Sequence, residues 1–208
     1  KLRDSLKSDG IRTRIFNNGD LRRRLSKGNT AYPEFFDPNN EAGAALRERC
    51  SAMTLNSARA FINDHPAERK VAIIDASNVS RKRREKILQA LPEERVLFIE
   101  CINDDSEILE ANLLHKVETA EFAHLSRKEA VASFKKRIRF YETAYQPLKK
   151  ERNFIKFDTF NARILKEKLV DSIPFEDRIR DFLVTPYLKN LFLIRHTETF
   201  YNLEDRIG

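Results

Sequence analysis

Two cysteines are all that the 208 residues carry, and both, Cys50 and Cys101, fall in segments of apolar periodicity. That argues against a disulfide framework and for a reducing compartment, the cytoplasm. No apolar run approaches the roughly 18 residues of a membrane span, and no signal-peptide pattern opens the chain. Internal repeats and low-complexity tracts are missing too. His65, His115 and His124 stand isolated, so no spacing supports a zinc site. The first residue is Lys1, and "KLRDSLKSDG" reads as the tail of a helix closing on Gly10. The sequence is therefore expected to begin inside an element, and both of its ends to be cuts.

What is present is a core and positive charge. Hydrophobic residues make up 41% of the chain, enough for one sizeable core, so one domain or one and a fraction is expected. Lys and Arg number 39 against 32 Asp and Glu, a formal charge of +7. That excess favours an anionic partner, whether nucleic acid, acidic lipid or a phosphorylated metabolite, without choosing among them. A nucleic-acid surface would need basic residues such as "RRR" (22–24) interleaved with exposed aromatics. Most of the fifteen Phe sit at core-periodic positions instead, so no nucleic-acid partner is expected.

The chain reads as strands alternating with helices. Strands are expected at 11–16, 70–76, 95–101, 153–158 and 190–196. Helices are expected from Asp37-Pro38 to about 63, over 81–91, from Asp104-Asp105 to about 117, over 128–145, and through most of 160–183. "YPEFFDP" reads as a loop, and 22–27 as a short basic helix or loop. Continuous apolar strands in that order imply a parallel sheet covered on both faces. The best boundary is "VTPYLKN" (184–190), just before the last strand.

In open α/β sheets ligands sit beyond the carboxyl ends of the strands, and charge collects there. Asp75 closes an apolar strand, where a carboxylate can hold Mg²⁺ or its water; a turn or capping aspartate is the plain alternative. Arg81, Lys82 and Arg83 fill the first turn of a helix, where the macrodipole disfavours cations by about 0.3–1 kcal/mol each. They imply either a bound anion or a solvated face offset by Glu85. Arg137 and Tyr141 are four apart on one helix face. Arg137 lies at the edge of a stripe formed by Val131, Phe134, Ile138, Tyr141 and Tyr145, as a ligand-binding or a snorkelling arginine would.

Taken together, several stretches resemble the bifunctional 6-phosphofructo-2-kinase/fructose-2,6-bisphosphatase family. They are "RIFNNGDLRRR", "FFDPNNEA", "IIDASNVSRKRRE", "LFIECINDD", "KRIRFYETAYQPL" and "FLIRHTETFYNLEDRIG", in matching order from Lys1 to Gly208. The resemblance implies a P-loop nucleoside-kinase-like α/β fold over 1–186, lacking its N-terminal P-loop strand, and the start of a phosphoglycerate-mutase-like histidine-phosphatase domain over 187–208. It implies transfer of phosphate from MgATP to the 2-hydroxyl of fructose 6-phosphate. Sugar-phosphate binding would fall to Arg22, Arg47, Ser77, Arg83, Lys116, Arg137 and Tyr141. Asp75 would be the active-site carboxylate near Mg²⁺, and Asn112 and Lys116 would line ATP. In the second domain Arg195 would bind phosphate, His196 would become phosphorylated, and Asn202 and Arg206 would bind substrate. A homodimer is one assembly left open.

Three departures from the family pattern stand out. Its Gly-rich ATP loop is expected ahead of Lys1. Its active-site cysteine aligns with Asn103, which can hydrogen-bond but cannot form a thiolate. Its glycine after the phosphorylated histidine is Thr197. Two other readings remain beside the kinase: a fructose-2,6-bisphosphatase working through phospho-His196, and a catalytically impaired sugar-phosphate-binding regulatory protein.

Overall fold

The computed structural model describes residues 1–26 and 32–185. The chain runs α1 (Leu2–Ser8), β1 (Arg12–Asn17), α2 (Asn18–Leu25), a 3-10 turn (Pro33–Phe36), α3 (Glu41–Asn63), β2 (Lys70–Asp75), α4 (Arg81–Ala90) and β3 (Phe98–Ile102). It continues through α5 (Ser106–Val117), a second 3-10 turn (Ala120–Phe122), α6 (Arg127–Ala144), β4 (Asn153–Asp158), β5 (Arg163–Leu169) and α7 (Glu176–Val184). The α/β class and the parallel pairing expected from the apolar strands are present. β1 pairs with β2 in parallel, with Asn17 opposite Asp75 at the carboxyl end. β3 pairs with β4 in parallel, with Ile102 opposite Asp158.

Period-2 alternation on the strands explains why helices lie on both faces. Val71 of β2 packs on one side with Leu6 of α1, Ile155 and Phe157 of β4, and Ile179 and Leu183 of α7. Ala72 and Ile74 turn the other way, toward Phe16 of β1 and Ala58 and Phe61 of α3. Ile74 also reaches the cluster of Leu55, Ile87 and Leu91, which draws α3 and α4 against β2 and Phe98 of β3. A separate cluster of Leu113, Val117, Phe122 and Ala130 joins α5 to α6.

Several expected boundaries are confirmed by their caps. Gly10 adopts a left-handed φ of +73° after α1. The Ser80 hydroxyl accepts from Arg83 N at 3.2 Å, and Asp105 Oδ1 accepts from Ile108 N at 2.9 Å. Ser126 and Glu129 form a reciprocal capping box on α6, which satisfies two of the donors that every helix start leaves open.

Other expectations are corrected. Residues 160–183 are not mainly helical: Arg163–Leu169 is a strand, antiparallel to β4. Its sequence, RILKEKL, has helix-like composition because it is an edge strand with mostly solvated side chains. Of its residues Ile164, opposite Phe157 of β4, packs against the core. The turn into it is built by Asp158, whose Oδ1 accepts from Phe160 N and Asn161 N at 3.0 Å each. α3 begins not at Asp37-Pro38 but after Asn40, whose Oδ1 accepts from Gly43 N at 2.8 Å. The preceding "PEFF" is a 3-10 turn with buried Phe35 and Phe36 rather than an open loop. Gly43 permits that turn to close, since a Cβ there would lie 2.5 Å from the Phe35 carbonyl oxygen. Tyr145 leaves the α6 stripe altogether. Its hydroxyl donates to Glu100 Oε1 at 2.5 Å, and burial together with that carboxylate pushes its pKa up to about 12. The expected strand at 190–196 and the boundary at 184–190 reach beyond the described residues.

A buried ion pair ties the loop after β2 to the segment between α6 and β4. Arg84 of α4, 5% exposed, donates from Nε to Glu151 Oε1 at 2.6 Å. Its Nη1 serves the carbonyls of Asn78 and Val79 at 3.1 Å each, and its Nη2 that of Gln146 at 3.0 Å. Glu151 also accepts from the backbone N–H groups of Lys149 and Lys150. Removing one partner leaves an uncompensated buried charge, so Arg84→Met is expected to cost about 3–5 kcal/mol. The shift in urea midpoint at unchanged m-value measures it.

Candidate functional site

A cluster of cations forms where α2, α3, α5 and α6 converge. Its floor is aromatic. Phe35 and Phe36 meet edge to face with centroids 5.1 Å apart, and Tyr141 of α6 leans on Phe36 at 5.9 Å. Guanidinium groups lie over these rings, where the quadrupole attracts them. Arg137 of α6 is 3.9 Å from the Phe36 centroid. Arg22 of α2 is 5.0 Å from Phe36 and 5.6 Å from Phe35. Arg47 of α3 is 5.5 Å from Phe35 and also donates from Nη1 to the Phe35 carbonyl.

A single carboxylate, Glu121, sits among them with its side chain 7% exposed. Its Oε1 accepts from Arg22 Nη2 at 2.8 Å and from Arg137 Nη1 at 3.2 Å. Its Oε2 lies 3.5 Å from Lys116 Nζ and 3.7 Å from Arg23 Nη1. Burial pushes the Glu121 carboxyl up, but Arg137, Arg22 and Lys116 outweigh it and hold the pKa below the usual range. Burial and the neighbouring Arg137 lower the pKa of Arg22, against the pull of Glu121.

The cluster is short of negative charge. Four cations surround Glu121, of which Arg23 alone has a second carboxylate among the described residues, Asp20, and Arg22, only 4% exposed, has a buried Nε with no hydrogen-bond partner. An unused donor on a desolvated cation carries a penalty of about 1–3 kcal/mol. An incoming multivalent anion would remove both deficits.

A second group stands at the carboxyl end of β2. Asp75 is exposed, and its Oδ2 accepts from Asn17 Nδ2 at 2.7 Å. Asn17 also caps α2, its Oδ1 accepting from Asp20 N at 3.0 Å. The strand-end carboxylate is thus tied to the start of the helix that carries Arg22. Cys101 of β3 lies near enough for Asp75 to help raise its thiol pKa, after burial, the larger cause. Both Cys50 and Cys101 are free thiols.

Of the residues singled out from the sequence, Arg22, Arg47, Lys116, Arg137 and Tyr141 come together in the cationic cluster. Arg83 does not join it among the described contacts. It pairs with Glu48 of α3 at 3.2 Å, one residue past Arg47. Arg81 pairs with Glu85 at 2.8 Å, so the basic first turn of α4 is offset in large part by neighbouring carboxylates. Ser77 and Asn112 are exposed. Asn103 accepts from Asp105 N at 3.1 Å, a turn that leads into α5, and it borders an open cavity of about 250 Å³ with Asp104 and Asp158. Arg195, His196, Thr197, Asn202 and Arg206 lie outside the described residues. The sequence reading missed Glu121, which falls between two periodic helices with no motif of its own. It also missed Phe35 and Phe36, although a Phe pair after Pro33 in an otherwise polar segment was a usable signal.

Comparison with known proteins bears on this geometry. The family model described as 6-phosphofructo-2-kinase matches residues 1–189. The chain is 31% identical over 218 aligned positions to 6-phosphofructo-2-kinase/fructose-2,6-bisphosphatase 3 of Rattus norvegicus, covering 100% of the chain and 38% of the relative. The Homo sapiens form 3 matches at 31%, with 41% of its length covered. A Gallus gallus relative of the same two-part name matches at 32%, with 45% covered. The chain therefore spans about two-fifths of the length of the curated relatives it matches. The family match takes in every described element, from α1 to α7. The chain belongs to the 6-phosphofructo-2-kinase family.

Proposed function

We propose that this chain is the kinase part of a 6-phosphofructo-2-kinase, which moves the γ-phosphoryl of ATP to the 2-hydroxyl of fructose 6-phosphate and yields fructose 2,6-bisphosphate. The observation that carries the reading is the unsatisfied cationic cluster. A dianionic sugar phosphate supplies the missing charge and can accept from the buried Arg22 Nε. Arg22, Arg47 and Arg137 bind and orient the phosphate, and the aromatic floor keeps their guanidinium planes from turning away. Tyr141, against Phe36, borders the same pocket and offers a hydroxyl to it. Ser77 and Arg83, from the segment after β2, belong to the same proposal as sugar-phosphate contacts, Arg83 by exchanging Glu48 for the ligand.

Asp75 fits a Mg²⁺ ligand by donor chemistry. It is a hard, exposed carboxylate at a strand end, and among the described residues only its Oδ2 has a hydrogen-bond partner. Mg²⁺ is commonly held by one or two carboxylates together with phosphate oxygens and water. When bound, the metal neutralises charge on the nucleotide phosphates. Asp75 would hold it or its water, Asn17 fixes the Asp75 carboxylate, and Lys116 with Asn112 lines the nucleotide. Direct in-line transfer then needs little from the protein beyond alignment and charge neutralisation.

The domain boundary at 186/187 belongs to the same proposal, with 187–208 opening a histidine-phosphatase domain that carries Arg195, His196, Asn202 and Arg206. Thr197, where the family has glycine, disfavours that second activity, since a Cβ hinders close backbone approach to a phosphate. A cytoplasmic location agrees with two unpaired thiols. Among the described residues no helix is long and apolar enough to cross a membrane.

Arg137→Ala in the full-length protein is expected to raise the KM for fructose 6-phosphate by about tenfold or more at an unchanged melting temperature, since a charge-assisted hydrogen bond is worth roughly 1.5–3 kcal/mol. Steady-state kinetics with a thermal melt decides it, and an unchanged KM removes Arg137 from the phosphate pocket. Asp75→Asn should act on the other parameter, lowering kcat by about a hundredfold or more while the KM for fructose 6-phosphate moves less than about threefold. A Mg²⁺ titration of the variant monitors the expected loss of metal affinity.

A further inference from the structure

Glu121 has no place in the sequence motifs, yet it organises the pocket. It lies in the 3-10 turn Ala120–Phe122 between α5 and α6. The turn is anchored on both sides. The Phe122 ring is 1% exposed in the α5–α6 core and meets Phe134 edge to face at 5.9 Å. Phe122 N donates to the Thr119 carbonyl at 2.9 Å, and the Thr119 hydroxyl donates to the Lys116 carbonyl at 2.9 Å. The carboxylate is therefore delivered from backbone that the core holds still.

Its two oxygens divide the cations. One takes Arg22 from α2 and Arg137 from α6, at 2.8 and 3.2 Å. The other draws Lys116 from the end of α5 and Arg23 from α2. Arg22 and Arg137 repel each other through the low-dielectric pocket, and no other carboxylate among the described residues lies within ion-pair distance of either. Without Glu121 nothing opposes that repulsion until an anion arrives, so ordering the two arginines would be charged to each binding event. With it they are already paired, and the remaining donors, including the Arg22 Nε, stay available.

We infer that Glu121 is the positioning residue of the phosphate pocket: one buried carboxylate holds the sugar-phosphate arginines of α2 and α6 in register and fastens them to Lys116 at the nucleotide side. The inference rests on the phosphate-pocket reading above. It assigns Glu121 no contact with the substrate. Its effect reaches the substrate through Arg22, Arg137 and Lys116.

The test compares Glu121→Gln and Glu121→Asp with the wild type in the full-length protein, reading the KM for fructose 6-phosphate, kcat and the melting temperature, with Arg137→Ala as the reference. Glu121→Gln is expected to raise KM about tenfold and Glu121→Asp about threefold, with kcat within about twofold of wild type. The aspartate keeps the charge but is one methylene too short to reach both arginines. If Glu121→Gln is recovered only unfolded, Glu121→Asp carries the test alone: a raised KM supports the role and an unchanged KM overturns it. A purely structural role lowers the melting temperature and leaves KM unmoved. A KM that falls in Glu121→Gln overturns the inference the other way, making Glu121 a competitor of the phosphate. If Arg137→Ala also leaves KM unchanged, the pocket reading itself has failed; if only the Glu121 variants do, the pocket stands and the positioning role does not.

Discussion

Positive charge packed where water is scarce needs a counter-charge, and the arrangement of α2, α3, α5 and α6 is governed by how that need is met. Arg22 is almost fully buried, a position that costs several kcal/mol for an unpaired ion. Glu121 offsets part of the cost and the faces of Phe35 and Phe36 offset another part. Neither satisfies the guanidinium completely. The remaining deficit is what distinguishes this cluster from the exposed ion pairs elsewhere on the chain, such as Arg12 with Glu68 or Lys136 with Glu34, which are worth little in water. A binding pocket for a phosphorylated ligand is a place where the protein leaves electrostatic work unfinished, and this cluster has that character.

The fold joins that pocket to the strand-end carboxylate through short, stiff links. Parallel pairing sets Asn17 opposite Asp75, and the two side chains then bond directly. Asn17 caps α2 with its other polar atom, so the helix bearing Arg22 starts from the residue that touches Asp75. On the far side, Lys116 lies in the last turn of α5, and Glu121 follows in the 3-10 turn after it. The residues proposed for the sugar phosphate and the nucleotide are thus connected by a capped helix start on one side and a core-anchored turn on the other. Loops that carry chemistry are often the mobile parts of a fold; here the polar groups that matter sit at helix ends and tight turns, which costs less order when a ligand binds.

How much of this could be read from the sequence follows from what each residue does. Period-2 and period-3.6 patterns made β1, β2, β4, α4, α5 and α6 legible because each buries one face or both. β5 was not legible. Only Ile164 of its seven residues anchors in the core, and Lys-Glu-Lys alternation on a solvated edge looks the same as a helix surface. The start of α3 was misread because Asp37-Pro38 and Asn39-Asn40 both offer helix-start chemistry. Burial of Phe35 and Phe36 selects the second by using the preceding residues for a 3-10 turn. Arg22, Arg137 and Tyr141 stood out through spacing and resemblance. Glu121 could not, since a lone glutamate between two helices carries no pattern until three other elements fold around it.

The contrast between two buried arginines, Arg22 and Arg84, separates structure from function on physical grounds. Arg84 spends its donors on Glu151 and on three backbone carbonyls, those of Asn78, Val79 and Gln146. Four of its five N–H donors are engaged within the protein, and the residue serves to fix the loops that follow β2 and α6. Arg22 is as buried as Arg84 but shares its one carboxylate with three other cations and leaves Nε without a partner. Burial alone would rank the two equally, and sequence context would favour neither. Counting donors against acceptors divides them, because a native fold rarely leaves a buried donor unpaired without a reason. By that measure Arg84 of α4 is engaged within the fold, and Arg22 of α2 is the one open to an anion. The charge deficit is centred on Arg22, with Arg137 and Arg47 beside it, whereas Arg83 and Arg81 in the basic turn of α4 have carboxylate partners in the free protein.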